Sequence, residues 1–187
     1  MLNIYTDSWD LDAAICPCDV HFLDYLEAHA VRGAAIFHFG TGRHHIVGVR
    51  NAESGTGTAI LGITASPGEY EAYVQLAIAR PEVVAAYKVF FGDIYQLDAR
   101  LLPEFDLVTL FHLCEFRGPN NDAYGAMTDL ELALVLTDRL RLGGRLLLYT
   151  RSQAYEQAVP VIEELLRRRA LRPDGSHKTL SVLRKIG

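Results

Sequence analysis

Ala34-Ala35-Ile36-Phe37-His38-Phe39 is an apolar run of strand length, and it ends abruptly in Gly40-Thr41-Gly42. A strand that feeds a Gly-x-Gly turn and then a helix presents backbone N–H groups and a helix N-terminus to a ligand. Open α/β sheets hold nucleotide-like molecules in this way. A tight strand–helix connection without a ligand can use the same glycines, so the turn alone does not name one.

Around this turn, strand-like and helix-like segments alternate. Asp19–Val31 places Phe22, Leu23, Leu26 and Ala30 on one helical stripe. After the Gly40–Gly42 turn, His44–Ala52 reads as a helix weakened by Gly48, and Ala59–Ala65 as a second strand. Ser66-Pro67-Gly68-Glu69 reads as a capping box opening a helix that runs to about Arg80. Val83–Phe91 and Phe105–Leu113 read as the third and fourth strands. Thr128-x-x-Glu131 opens a helix to Leu142 that Gly143-Gly144 ends, before a fifth strand, Arg145–Thr150. Ser152–Arg169 is a helix kinked at Pro160, and residues 170–186 form a hairpin about Asp174-Gly175. The strands are continuously apolar, as parallel strands covered on both faces must be. The expected architecture is a doubly wound, three-layer α/β domain, mostly parallel, with a C-terminal antiparallel strand. Residues 1–187 form a single domain, with 1–33 a helical segment packed on the α/β core.

A length of 187 residues suits one such core, and a net charge of -5 provides no field for nucleic acid or an anionic membrane. No basic n-region precedes an apolar segment at the N-terminus, and three cysteines point to reduced thiols; both favour a cytoplasmic address. A homodimer is compatible with the sequence, which does not set the oligomeric state.

The order of elements resembles the class I S-adenosylmethionine-dependent methyltransferases from about Asp19 onward. His38-Phe39-Gly40-Thr41-Gly42-Arg43-His44 is similar to the family's glycine turn, and Ile63-Thr64-Ala65-Ser66-Pro67 to the end of its second strand. Phe91-Gly92-Asp93-Ile94 resembles its Gly-Asp-Ala segment, Phe105-Asp106-Leu107-Val108 its fourth strand, and Leu142-Gly143-Gly144 through Leu148 its glycine turn and fifth strand. The resemblance implies a Rossmann-like methyltransferase fold and S-adenosylmethionine as cofactor. It implies cofactor contacts from His38, Gly40, Thr41 and Gly42 at the first turn and from Thr64 after the second strand. It implies further contacts from Gly92, Asp93 (to the adenine amino group), Ile94 and Phe111. His38 stands where the family has an acidic residue, and His44 where it has a third glycine. The carboxylate that holds the ribose hydroxyls has only Ile63 and Thr64 at its place, with Glu69 one helical turn on as a substitute.

His112, Cys114 and Glu115 lie at the end of the fourth strand, where a transferred group meets its acceptor in this architecture. His112 or Glu115 can take a proton there, so both are candidate catalytic residues; a pocket wall is the plainer alternative. Arg117–Gly125 is a polar loop at the same edge, able to cover a substrate, and Tyr5, Asp7, Trp9 and Asp10 can fold over the pocket or form an interface. Cys16-Pro17-Cys18-x-x-His21 offers three metal donors without a matching second pair, so no metal is expected and the thiols read as buried and inert. Arg167-Arg168-Arg169 with Arg172 is the one basic cluster, and it lacks the interleaved aromatics of a nucleic-acid platform.

The leading expectation is a methyltransferase acting on a small molecule, without nucleic-acid or membrane partners. The alternative is a non-catalytic binding or interaction protein of the same fold. A nicotinamide-dependent dehydrogenase ranks last: its Tyr-x-x-x-Lys pair is missing, since Lys88, Lys178 and Lys185 have Val84, Asp174 and Ser181 four residues before them.

Overall fold

Residues 3–187 are described in the computed structural model. Seven strands form one sheet: β1 (Ala35–Phe39), β2 (Ala59–Thr64), β3 (Tyr87–Phe91), β4 (Phe105–Thr109), β5 (Leu140–Tyr149), β6 (Leu171–His177) and β7 (Leu180–Lys185). The spatial order is β3-β2-β1-β4-β5-β7-β6. The first five strands pair in parallel, while β7 runs antiparallel to both β5 and β6. Strand order reverses between β1 and β4, which opens a crevice at their carboxyl ends.

Alternate residues of each central strand enter cores on opposite faces of the sheet. Phe37, Phe39, Val108, Leu146 and Leu148 pack on one face with Leu132 and Leu136 of α6 (Asp129–Asp138) and Leu165 of α7 (Tyr155–Arg168). Ile36, Ile60, Leu107 and Leu147 pack on the other with α1 (Cys18–Ala28), α2 (Ile46–Ser54), α3 (Pro67–Ala79) and α4 (Pro81–Ala86). These are the three layers that continuous apolarity predicts. A short α5 (Pro119–Ala123) lies within the polar loop after β4.

Four local expectations are corrected. Val83–Ala86 is helical and belongs to α4, because Pro81 starts a fresh helical turn and turns Val83 into the core. Helix α6 stops at Asp138, and Gly143-Gly144 lies inside β5, where pairing with β4 shifts register between Phe105 and Leu107. A Cβ on Gly144 would stand 2.9 Å from the Arg141 carbonyl oxygen and 3.0 Å from that of Asp106, so the glycine permits close backbone approach rather than ending a helix. The C-terminal hairpin turns at Lys178-Thr179; Asp174-Gly175 makes an irregularity within β6. Finally, residues 3–15 form no α-helix: they run as an extended strap, and helix begins only at Cys18.

Gly48 also has a packing role. A Cβ there would lie 2.2 Å from the Tyr87 ring, which is 1% exposed and packs against the helix backbone. Gly48→Ala improves helix propensity yet overpacks this contact, at an expected net cost of about 1–3 kcal/mol. Urea unfolding checks it; a variant as stable as the parent would show that Tyr87 moves aside freely.

Candidate functional site

A cavity of about 710 Å³ lies at the carboxyl ends of β1, β2, β4 and β5. Gly40 and Gly42 of the first turn, Thr64, Gly92, Asp93 and Ile94 all line it, and so do His112 and Glu115. The other three expected cofactor residues do not. His38 is 1% exposed, stacked on Phe22, with Nδ1 2.9 Å from the Thr109 hydroxyl. Burial pulls its imidazole down to about 3. Phe111 packs edge-on against Phe22 in the core. The Thr41 hydroxyl is buried, and its methyl packs toward Gly62.

The glycine turn does what its composition requires, but its open sides face side chains. Gly40 has φ +88° and Gly42 φ +56°, conformations that favour glycine. A Cβ on Gly40 would meet the His112 ring at 2.9 Å, and one on Gly42 the His44 ring at 2.4 Å. The glycines therefore make room for two imidazoles. Gly92 is different: a Cβ there would meet nothing within 4 Å.

Glu69 sits in the first turn of α3. Ser66 caps that helix by accepting from the Glu69 N–H at 3.4 Å. The reciprocal half of the expected capping box is missing, because the carboxylate turns inward. Oε2 accepts from the Thr64 hydroxyl at 2.6 Å and Oε1 from the Trp9 N–H at 3.4 Å. Burial pushes this carboxyl group above its ordinary value, and the Thr64 and Trp9 hydrogen bonds only partly offset the rise. Such a carboxylate gains from further donors.

Both Asp93 oxygens are engaged. Oδ1 caps the turn at Tyr95, accepting its N–H at 2.9 Å, while Oδ2 accepts from Asn121 at 2.7 Å and from the Tyr124 hydroxyl. Asp93 thus anchors the loop carrying α5, and it meets a ligand only at the expense of these bonds. The strap crosses the same edge. The Tyr5 hydroxyl donates to the Phe116 carbonyl, the Tyr5 N–H to Ala65, and the Arg43 N–H to the Trp9 carbonyl at 2.8 Å. Trp9 stands edge-on to Phe116 at 5.7 Å.

Beyond the end of β4, His112 Nδ1 lies 3.0 Å from Glu115 Oε2, and Glu115 Oε1 accepts from the Ser152 hydroxyl at 2.5 Å. Burial lowers the His112 pKa, but the hydrogen bond and charge of Glu115, with smaller help from Cys16 and Asp19, raise it above the ordinary value overall. Glu115 moves the opposite way: burial raises it, and His112 outweighs that. The two form a polarised pair at the cavity wall.

The sequence places these two residues at the crevice, where they lie, but does not reveal a further partnership. His21 does not join the nearby cysteines; its Nδ1 lies 2.7 Å from the Thr179 hydroxyl. His112 reaches them instead, with Nε2 3.9 Å from Cys18 Sγ across 94 positions of sequence. The Cys-Pro-Cys spacing was the one available signal. The basic cluster is largely paired: Arg167 and Arg168 bind Glu164, and Arg169 binds Asp138.

No family model matches the sequence, and no curated protein matches it. Solved structures do match. TrmN from Thermus thermophilus aligns over 87% of this chain with TM-score 0.56 at 16% identity, and the chain spans 47% of that protein. Magnesium protoporphyrin IX methyltransferase (ChlM) from Synechocystis PCC 6803, with bound SAM, aligns over 90% of this chain and 78% of its own, with TM-score 0.63 at 14% identity. The fold is that of the class I methyltransferases. The [4+2]-cyclase SpnF shares it as well, over 92% of this chain and 64% of its own, with TM-score 0.61 at 16% identity. The fold therefore does not dictate one reaction. Among the described residues, no helix is long and apolar enough to cross a membrane.

His45 supports the crevice from below. Its Nε2 donates to the Glu69 carbonyl at 2.9 Å, which leaves Nδ1 to accept from the Tyr87 hydroxyl at 2.9 Å. Burial lowers its pKa from 6.5 to about 4. A depressed histidine favours the neutral folded form, so its contribution is intact above the ordinary value and is lost on acidification. Stability is expected to fall as the pH drops from 6.5 toward 4. His45→Leu should melt lower above pH 6.5, with the gap closing toward pH 4, and so show a shallower slope in that window. Thermal melts across the range test this, and an unchanged slope would assign the acid sensitivity elsewhere.

Proposed function

We propose that this chain is an S-adenosylmethionine-dependent methyltransferase acting on a small molecule in the 710 Å³ cavity. The observation that carries the reading is Glu69. The second strand ends without the expected acidic residue, yet a buried carboxylate reaches the same cavity wall from the first turn of α3. It already accepts from Thr64, it is pushed up by burial, and two ribose hydroxyls would supply the donors that such a group gains from. Ile63, Ile94 and Tyr95 give an apolar wall for a purine, and Gly92 leaves its side open. The residues present thus fit an adenosyl compound. When bound, that cofactor supplies an electrophilic methyl group.

The chain's own part is to hold and align. Glu69 and the Gly92–Ile94 segment hold the nucleoside, and the strap bearing Trp9 excludes water from it. His112, braced by Glu115, stands where an acceptor's proton can be taken up, while alignment carries most of the rate. A cavity of this size is in the range of small-molecule sites, roughly 300–1,000 Å³. The paired arginine cluster and the negative charge favour a small acceptor over nucleic acid. Three free thiols support a reducing, cytoplasmic setting. The rings of His44 and His112 over the two glycines favour the second reading, a binding protein of this fold that does not turn the cofactor over.

Calorimetric titration with S-adenosylmethionine and S-adenosylhomocysteine tests the proposal. Both should bind, and Glu69→Gln should weaken both about 10–100-fold, the range for losing hydrogen bonds to a charged group. Binding without label transfer to any small acceptor would select the non-catalytic reading. No binding of either compound would remove the cofactor.

A further inference from the structure

We infer that Cys16, Cys18 and His112 form a binding site for a zinc-class divalent cation whose fourth coordination position opens into the cavity. Their donor atoms all lie within 4.8 Å of one another. The two sulfurs are 3.4 Å apart, and Cys18 Sγ is 3.9 Å from His112 Nε2. A tetrahedral zinc ion with S and N ligands at about 2.3 and 2.0–2.1 Å spaces those atoms about 3.6–3.8 Å apart. Small side-chain adjustments close the difference. Two thiolates and one imidazole suit a borderline-soft ion, and three protein ligands leave one position for a donor from outside.

Three further features prepare the site. The turn before α1 is closed by the Cys16 N–H donating to the Asp12 carbonyl at 2.8 Å, which presents Cys16 beside Cys18. Cys18 itself opens α1 directly after Pro17, which holds it beside Cys16; Cys16, burial and the Asp19 charge raise its thiol pKa, so this ligand gives up its proton as the ion binds. Glu115 Oε2 takes the Nδ1 side of His112 at 3.0 Å while Glu115 Oε1 accepts from the Ser152 hydroxyl, leaving the Nε2 lone pair to face the sulfurs. A carboxylate on the far nitrogen of a metal-binding histidine is the usual support for such a ligand. Gly40 completes the arrangement, since a Cβ there would stand 2.9 Å from the imidazole. All three ligands line the cavity, so the vacant position points toward it. A water molecule or a small thiol can enter there, and a thiol that does so loses its proton to solvent. With the ion bound, His112 acts as a ligand, and acidification of the incoming donor takes the place of proton uptake by the ring.

The inference stands on side-chain geometry and does not need the methyl-transfer reading, because metal uptake and nucleoside binding are measured separately. The reduced, chelator-treated full chain is titrated with Co²⁺, with Zn²⁺ as competitor. One equivalent should bind, with a thiolate-to-cobalt charge-transfer band in the near ultraviolet and intense tetrahedral bands in the visible, and Zn²⁺ should abolish both. Cys16→Ser and His112→Ala should each weaken binding by about 10-fold or more, and Glu115→Gln, through positioning, by about 10–100-fold. Cys114→Ser lies outside the cluster and should leave the spectrum unchanged. Cys16 is only partly buried, so its serine variant is expected to fold. As a measurement free of variants, Zn²⁺ should protect Cys16 in the parent chain from alkylation. Overturning results are an octahedral cobalt spectrum, bands that persist in Cys16→Ser, no protection from alkylation, or a Cys16–Cys18 disulfide with no metal uptake after reduction.

Discussion

The His112 ring rests against the backbone of Gly40, and the crevice is organised around that contact. β1 and β4 are neighbours at the point where strand order reverses, so the segments leaving them diverge to opposite faces and leave a hollow between. A glycine at the end of β1 lets the imidazole that follows β4 lie directly on the turn. From there His112 reaches Glu115 with one nitrogen and the cysteines ahead of α1 with the other. Any larger residue at position 40 would push the ring out and separate these groups.

The alternation of strands and helices was readable because each central strand is buried on both faces and carries an unbroken apolar run. The boundaries that were misread share a cause: a local signal overridden by packing. Val83 and Val84 are β-branched and look like strand, yet Pro81 and the burial of Val83 make them helical. Gly143-Gly144 looks like a helix stop, yet tight approach to the Asp106 carbonyl places it in β5. Asp174-Gly175 is a strong turn pair, but β6 continues through it, and the chain reverses at Lys178-Thr179.

The site was legible in part for similar reasons. Gly40, Gly42 and the His112–Glu115 pair follow from their places at strand ends, which the topology brings together. Phe111 and His38 sit one residue from cavity-lining positions; alternation along β1 sends His38 toward Phe22, and the turn beyond β4 sends Phe111 there too. The inward turn of Glu69 depends on Thr64 and Trp9, and the meeting of Cys18 with His112 spans 94 residues. Neither leaves a trace in local spacing.

The strap also joins two parts of the cavity lining. It lays Trp9 against Glu69 and leads into Cys16, which stands with Cys18 beside His112 on the same cavity. Were a nucleoside and an ion both to bind, any coupling carried by this segment would be reciprocal, by the same factor in either order of arrival.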